Sequence, residues 1–165
     1  MNIFYLHKDP SKAAAMHCDK HVVKMILETA QMMATAHRMS GDESFADSSG
    51  LPKKAHINHP STQWVRESSE HYQWAYKLFT SLLSEYTQRY GKTHKYDSLK
   101  DAFSKSPIYV DNKGFKAPPK CMPDTYKKPS TVAAYRAYYI GEKAYFASWK
   151  RAKTPYWWTT ASQCA

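Results

Sequence analysis

The segment Ser11–Arg38, SKAAAMHCDKHVVKMILETAQMMATAHR, runs through twenty-eight residues without a glycine or proline. It follows the turn signal Asp9-Pro10, and Asp9 or Ser11 is placed to cap it, so the pattern predicts one long helix ending at about Arg38. At about 100° per residue, Met16, Val23, Ile26, Leu27, Ala30, Met33 and Ala34 fall on one face. Val22, Met25, Thr29, Met32 and Ala36 cover much of another. A helix so widely apolar belongs at the centre of a helical fold. Between the faces runs one polar stripe: His17, His21, Lys24, Glu28 and Gln31, each three or four residues from the next and therefore neighbours on the helix surface.

Working outward, Asn2–Leu6 reads as a short extended lead-in and Gly41–Pro52 as a polar surface loop. A second helix is predicted from Pro60 or Ser61 to about Tyr90, stopped by Gly91. Five prolines between residues 92 and 129 exclude long regular elements there, leaving room for one short helix at Ser98–Phe103. Ser130 caps a third helix running to about Arg151, and an aromatic tail follows from Thr154. The fold class expected is mainly α: a compact single domain, residues 1–165, of three long helices with a Pro-rich irregular segment between the second and third.

The composition narrows the function classes. The chain of 165 residues carries a formal charge of +10, with 42% hydrophobic and 15% aromatic residues, which supports a packed core and argues against wholesale disorder. No apolar run approaches the ~20 residues that span a bilayer, and no secretory-signal succession is expected at the N-terminus. Cys18, Cys121 and Cys164 are odd in number and widely spaced, fitting neither a disulfide framework nor a zinc knuckle and pointing to a reducing compartment. Residues 1–90 hold 10 basic and 9 acidic groups, whereas residues 91–165 hold 14 and 5. That cationic second half, rich in Tyr and Trp, points to a polyanion partner: cations attract the phosphate backbone and aromatic faces stack on bases.

The stripe carries the chemistry. A lysine and a glutamate one turn apart beside two imidazoles on a largely buried helix are candidates for acid, base or amine-nucleophile work, Lys24, Glu28, His17 and His21 being the residues concerned. The alternative is an ordinary Lys24–Glu28 helix ion pair with the histidines satisfied in the core. A zinc site from His17 and His21 with His56 or His59 is a rival. It lacks the glutamate of the zinc-protease pattern and meets cations at Lys20 and Lys24, so no metal or other cofactor is expected. For nucleic-acid contact the candidates are Gln31 on the stripe, His59 at the start of the second helix, Lys127 and Lys128, the basic seam Arg136, Lys143 and Lys150 on the third helix, Arg151, and Trp157 in the tail.

The strings Asn2–Leu6, Asp19–Gln31 (DKHVVKMILETAQ), His59-Pro60, Met122-Pro123-Asp124 and Tyr138–Lys143 resemble a family of small bacteriophage-encoded proteins over almost the whole chain. More distantly, the layout is similar to the pyrimidine-dimer DNA glycosylases of the endonuclease V type. The shared order is an extended lead-in, two long helices, a Pro-Asp-x-Tyr stretch (here Pro123–Tyr126), a third helix and a Trp/Tyr tail. The resemblance implies amine attack at the sugar C1′ by the N-terminal α-amino group, with a glutamate of the first helix assisting. It thereby adds the Met1 amine as a candidate nucleophile. Two departures stand out: Asn2 is bulkier than the second residue that permits methionine removal, and matching the family's first-helix histidine to His17 puts Lys24 at the glutamate position with Glu28 one turn on. The expected function is a DNA glycosylase/AP-lyase-like enzyme acting on duplex DNA as a monomer, in the cytoplasm of an infected host cell. The alternatives are a non-catalytic nucleic-acid-binding or host-inhibitory protein, or a nucleotide-binding pocket.

Overall fold

The computed structural model describes residues 1–158 and contains helices without strands among them. Seven α-helices replace the three expected: α1 (Pro10–Met16), α2 (Asp19–Met39), α3 (Glu43–Ser48), α4 (Pro60–Glu67), α5 (Ser69–Tyr90), α6 (Lys100–Phe103) and α7 (Thr131–Lys143), with two 3₁₀ turns at Lys95–Leu99 and Asp124–Tyr126. The central helix is where the apolar periodicity put it: α2 packs against α5 and α4, and α1 lies on α5. Val22, Met25, Ile26, Met32 and Met33 of α2 meet Tyr72, Leu78, Phe79 and Leu82 of α5 in the core, together with the lead-in residues Ile3–Leu6.

Each extra helix boundary has an identifiable cause. The first long helix breaks at His17-Cys18, where His17 turns extended (ψ 135°). Arg89, buried at the end of α5, donates to the carbonyls of His17 (2.7 Å) and Ala15 (3.0 Å), satisfying orphan acceptors at the end of α1. The same guanidinium pairs with Asp19 and Glu85. The second helix breaks at Ser68, whose hydroxyl donates to the Gly114 carbonyl (2.7 Å) and accepts the Lys113 N–H (3.0 Å), while Ser69 N–H reaches the Asp111 carbonyl. The third ends at Lys143, short of Arg151, because residues 148–150 are drawn onto the start of α2. Asp19 N–H donates to the Ser148 carbonyl, and the Asp19 carboxylate accepts the Lys150 N–H (3.0 Å).

The segment expected as a plain loop, Gly41–Pro52, contains α3, clamped by Arg38 donating to Asp47 (2.7 Å) and to the carbonyls of Leu51 and Pro52. Helix formation at Lys100–Phe103 agrees with the short element expected there. No helix among the described residues is long and apolar enough to cross a membrane. Cys18 and Cys121 are free thiols, and Cys164 lies outside the described residues.

Candidate active site

The N-terminal lead-in, residues 1–6, forms neither helix nor strand, and side chains hold it in place. Asn2 does most of this. Its Oδ1 accepts the Ile3 N–H (2.8 Å) and the Tyr135 hydroxyl (2.9 Å), and its Nδ2 donates to the Cys121 carbonyl (3.0 Å). Tyr135 also lies 2.6 Å from the Pro119 carbonyl and accepts the Cys121 N–H. The Pro-rich segment and α7 thus grip the second residue from two sides. Sequence reasoning gave Asn2 no such part, and it missed Tyr135 and Cys121, whose contacts span 119 to 133 residues of chain.

That grip delivers Met1 to α2. The Met1 side chain is buried (1% exposed) although the residue as a whole is only half-buried, so the surface it keeps belongs to its backbone end, which carries the amine. The amine nitrogen stands 3.5 Å from Glu28 Oε1. Glu28 Oε2 is buried and has no hydrogen-bond partner. The cation facing this carboxylate is therefore the ammonium of Met1; Lys24, one turn away, is exposed and makes no ion pair with it. Of the two amines that the sequence offered, the fold brings Met1 to the glutamate.

His59, a contact candidate from the sequence, serves the fold in a different way. It is the N-cap of α4: its Nδ1 accepts the Ser61 N–H at 3.1 Å. Burial, then the Met1 ammonium, then His56 hold its pKa below the ordinary imidazole value, against a smaller opposite pull from Glu28. Gln31 is half-buried on the next turn of α2, and its carbonyl accepts the Thr35 hydroxyl (2.8 Å), which in turn accepts the Ala55 N–H and ties the 52–59 loop to α2.

His17 and His21 stand apart from the amine. Both are buried, and no ring nitrogen of either is bonded to Met1 or Glu28. His21 stacks on Phe4 (centroids 4.4 Å) with Nδ1 2.7 Å from the Tyr139 hydroxyl. Burial, reinforced by His17, Lys143 and Lys24, pushes its pKa down to about 2. His17 donates from Nδ1 to the Ala13 carbonyl (2.6 Å), and its pKa falls to about 4, chiefly through burial. These are neutral imidazoles of the interior wall. Among the described residues no three His, Cys, Asp or Glu side chains gather as metal ligands.

The basic candidates separate into two groups. Lys143 reaches back from α7 to lie over Tyr138 (4.8 Å) and Phe4 (5.9 Å), and Lys20 lies over Phe146 (5.5 Å), so with exposed Lys24 they line the flank of α2 that leads to Glu28. Arg136 points elsewhere: it donates to the Leu6 carbonyl (2.9 Å) and packs over Tyr156 and Trp157, a structural cation rather than part of one seam with Lys143. Trp157 is half-buried, its indole N–H 3.3 Å from Met16 Sδ. Lys150 and Arg151 are exposed at the edge of a cleft with Asp19, Arg89 and Tyr90. Lys127 pairs with its neighbour Asp124 (2.8 Å), and Lys128 is exposed.

A helical protein that presents a primary amine against a half-buried carboxylate, flanked by lysines over aromatic rings, is equipped for amine-nucleophile chemistry on an anionic substrate. The family model for pyrimidine dimer DNA glycosylase matches residues 1–98, and the chain belongs to that family. The match includes Met1, Glu28 and His59. No curated protein and no solved structure matches the chain.

Proposed function

We propose that this protein is a DNA glycosylase/AP lyase acting on a damaged or modified nucleotide in duplex DNA, with the Met1 amine as nucleophile and Glu28 as its acid/base partner. The observation that carries the reading is the 3.5 Å approach of the Met1 amine to Glu28, whose second oxygen has no protein donor. Glu28 takes a proton from the ammonium, freeing the nitrogen lone pair. The amine bonds to C1′, the glycosidic bond breaks, and its electron pair leaves with the base, which takes up a proton. Ring opening, with O4′ accepting a proton, gives an iminium at C1′. Glu28, having passed its first proton to the departing base, takes the C2′ proton as the 3′-phosphate leaves with the C3′–O electron pair, and hydrolysis of the iminium by water returns the free amine.

Lys20, Lys24 and Lys143 supply the attraction to phosphate along the α2 flank, and Tyr138 and Phe146 give that flank its aromatic faces. Neutral His17 and His21 support this wall through Phe4. Drawn with its resemblance to phage-encoded proteins, the enzyme works as a monomer in the cytoplasm of an infected cell.

Borohydride reduction in the presence of duplex DNA carrying an abasic site tests the reading. The wild type forms a stable covalent adduct, and Glu28→Gln lowers the rate of its formation at least about 100-fold while DNA binding persists. Salt-sensitive DNA binding without any adduct would instead mark a non-catalytic binding protein.

A further inference from the structure

A second concentration of positive charge lies where residues 150–156 cross α1 and the end of α5. Two hollows open along that crossing. A cleft of about 330 Å³ is bounded by Asp19, Arg89, Tyr90, Lys150 and Arg151. Beside it, a cavity of about 360 Å³ lies between α1, Glu85 and Gln88 of α5, and residues 152–156, with Lys12 and Lys153 on its walls. The acids of the two hollows, Asp19 and Glu85, both face the buried Arg89, at 3.2 and 2.9 Å. Lys12, Lys150, Arg151 and Lys153 are exposed, and among the described residues none of them pairs with a carboxylate. Four unbalanced cations in so short a stretch favour a polyanion.

The walls of the larger cavity narrow the choice of polyanion. Its floor is apolar, made by Ala15, Met16, Ala152 and the buried Pro155. Tyr156 stands at the rim, 79% exposed. Arg136 holds that ring, its guanidinium 5.3 Å from the ring centroid and its Nη1 3.1 Å from the hydroxyl. An apolar hollow beside a fixed aromatic plane suits the face of a nucleobase, and the flanking cations suit phosphates. Bases within a duplex are stacked on one another and cannot enter such a hollow; those of a single strand can. The chain from Lys150 to Tyr156 spans at most about 20 Å, the reach of a few nucleotides.

We propose that residues 150–156, with Lys12, form a binding site for single-stranded DNA. One base lies on Tyr156 above the Ala15–Met16 floor, and the backbone runs along Lys153, Arg151 and Lys150. The site is separate from the amine: Asp19, at its edge, precedes Glu28 by nine residues, about 13 Å of α2. A protein so equipped engages DNA where an unpaired strand adjoins a duplex.

Fluorescence anisotropy with the full-length protein and an oligo(dT) strand of about twelve nucleotides, carrying no abasic site, tests the proposal. Wild type is expected to bind with a slope of log affinity against log salt near −3, about 0.7 for each of the four cations. Tyr156→Ala should weaken that binding about 10-fold with the slope unchanged, and Tyr156→Phe should stay within about twofold of wild type. Lys153→Gln should reduce the slope by about 0.7. Borohydride trapping on abasic duplex should be unchanged in Tyr156→Ala and Lys153→Gln, because both residues lie outside the Met1–Glu28 site. Failure of wild type to bind oligo(dT) would overturn the proposal, as would equal binding by Tyr156→Ala or a Phe variant as weak as the Ala one. An equal loss on intact duplex would make the tract part of the duplex surface and overturn it too. Absence of any trapped wild-type adduct would refute the amine mechanism and leave this site standing.

Discussion

Replacing Asn2 by Leu tests whether the grip on the N-terminus makes the site. Leucine matches asparagine in size and is as bulky at the second position, so the terminal residue should remain methionine, which intact mass confirms. The substitution removes three hydrogen bonds at once: from the Ile3 N–H, from the Tyr135 hydroxyl and to the Cys121 carbonyl. At roughly 1 kcal/mol each, and with Tyr135 keeping the Pro119 carbonyl, the loss of stability comes to about 2 kcal/mol. For a chain of 165 residues that lowers Tm by roughly 4–8 °C. Activity should fall further than stability does, because the amine is placed by this clamp and a displacement of about 1 Å can cost 100-fold. The assay is the rate of borohydride trapping on abasic DNA at a temperature well below the lowered Tm. An Asn2→Leu protein that melts and traps like wild type would refute the reasoning, since the Met1–Glu28 distance would then owe nothing to these bonds.

Further consequences follow from the same contacts. Arg89→Met strands Asp19 and the carbonyls of Ala15 and His17, and should cost about 3–5 kcal/mol in a urea melt, the junction of α1 and α2 becoming the first region to exchange amide hydrogens. Gly141→Ala places a Cβ against the Tyr126 ring, which packs there and bonds Glu142, so the ring must move. A destabilisation of about 1–3 kcal/mol is expected by thermal melting. His17 is neutral in the fold with its pKa lowered to about 4, so its contribution is fully present above the unfolded value near 6.5 and is lost as pH falls toward 4. His17 should account for about 2.5 kcal/mol of the difference between urea melts at pH 7.5 and 4.5, and His17→Leu should remove that share while the part due to buried His21 remains. Replacing Lys20, Lys24 and Lys143 one at a time by Gln should each reduce the salt slope of DNA binding by about 1, whereas Arg136→Gln should act mainly on stability, through the lost bond to Leu6.

The sequence made much of this molecule readable. Apolar periodicity put α2 at the centre, and Gly91 marked the end of α5 with φ 69°, the left-handed turn that glycine adopts without strain. What periodicity could not show were the breaks at His17-Cys18 and Ser68. Both are caused by partners remote in the chain, Arg89 for the first and the 111–114 segment for the second. Glu28 was visible because a carboxylate on a nearly all-apolar helix needs a reason. Its partner was not visible: helix geometry places Lys24 beside Glu28 as readily as any fold could place Met1, and only the hold on Asn2 by Tyr135 and Cys121 decides between them. His17 and His21 share a stripe with Glu28 on paper, but the break before α2 and the Phe4 ring turn them into the interior. The basic seam on the third helix dissolved for a similar reason, since Arg136 is spent on a backbone carbonyl while Lys143 turns toward Phe4.

The most direct test of the account is to find which atom of the protein holds the sugar. After borohydride trapping on abasic DNA and nuclease trimming, proteolysis and tandem mass spectrometry should place the added mass on the α-nitrogen of the peptide beginning at Met1, with the peptide containing Lys24 unmodified. Sugar attached to Lys24, with the Met1 amine unchanged, would contradict it.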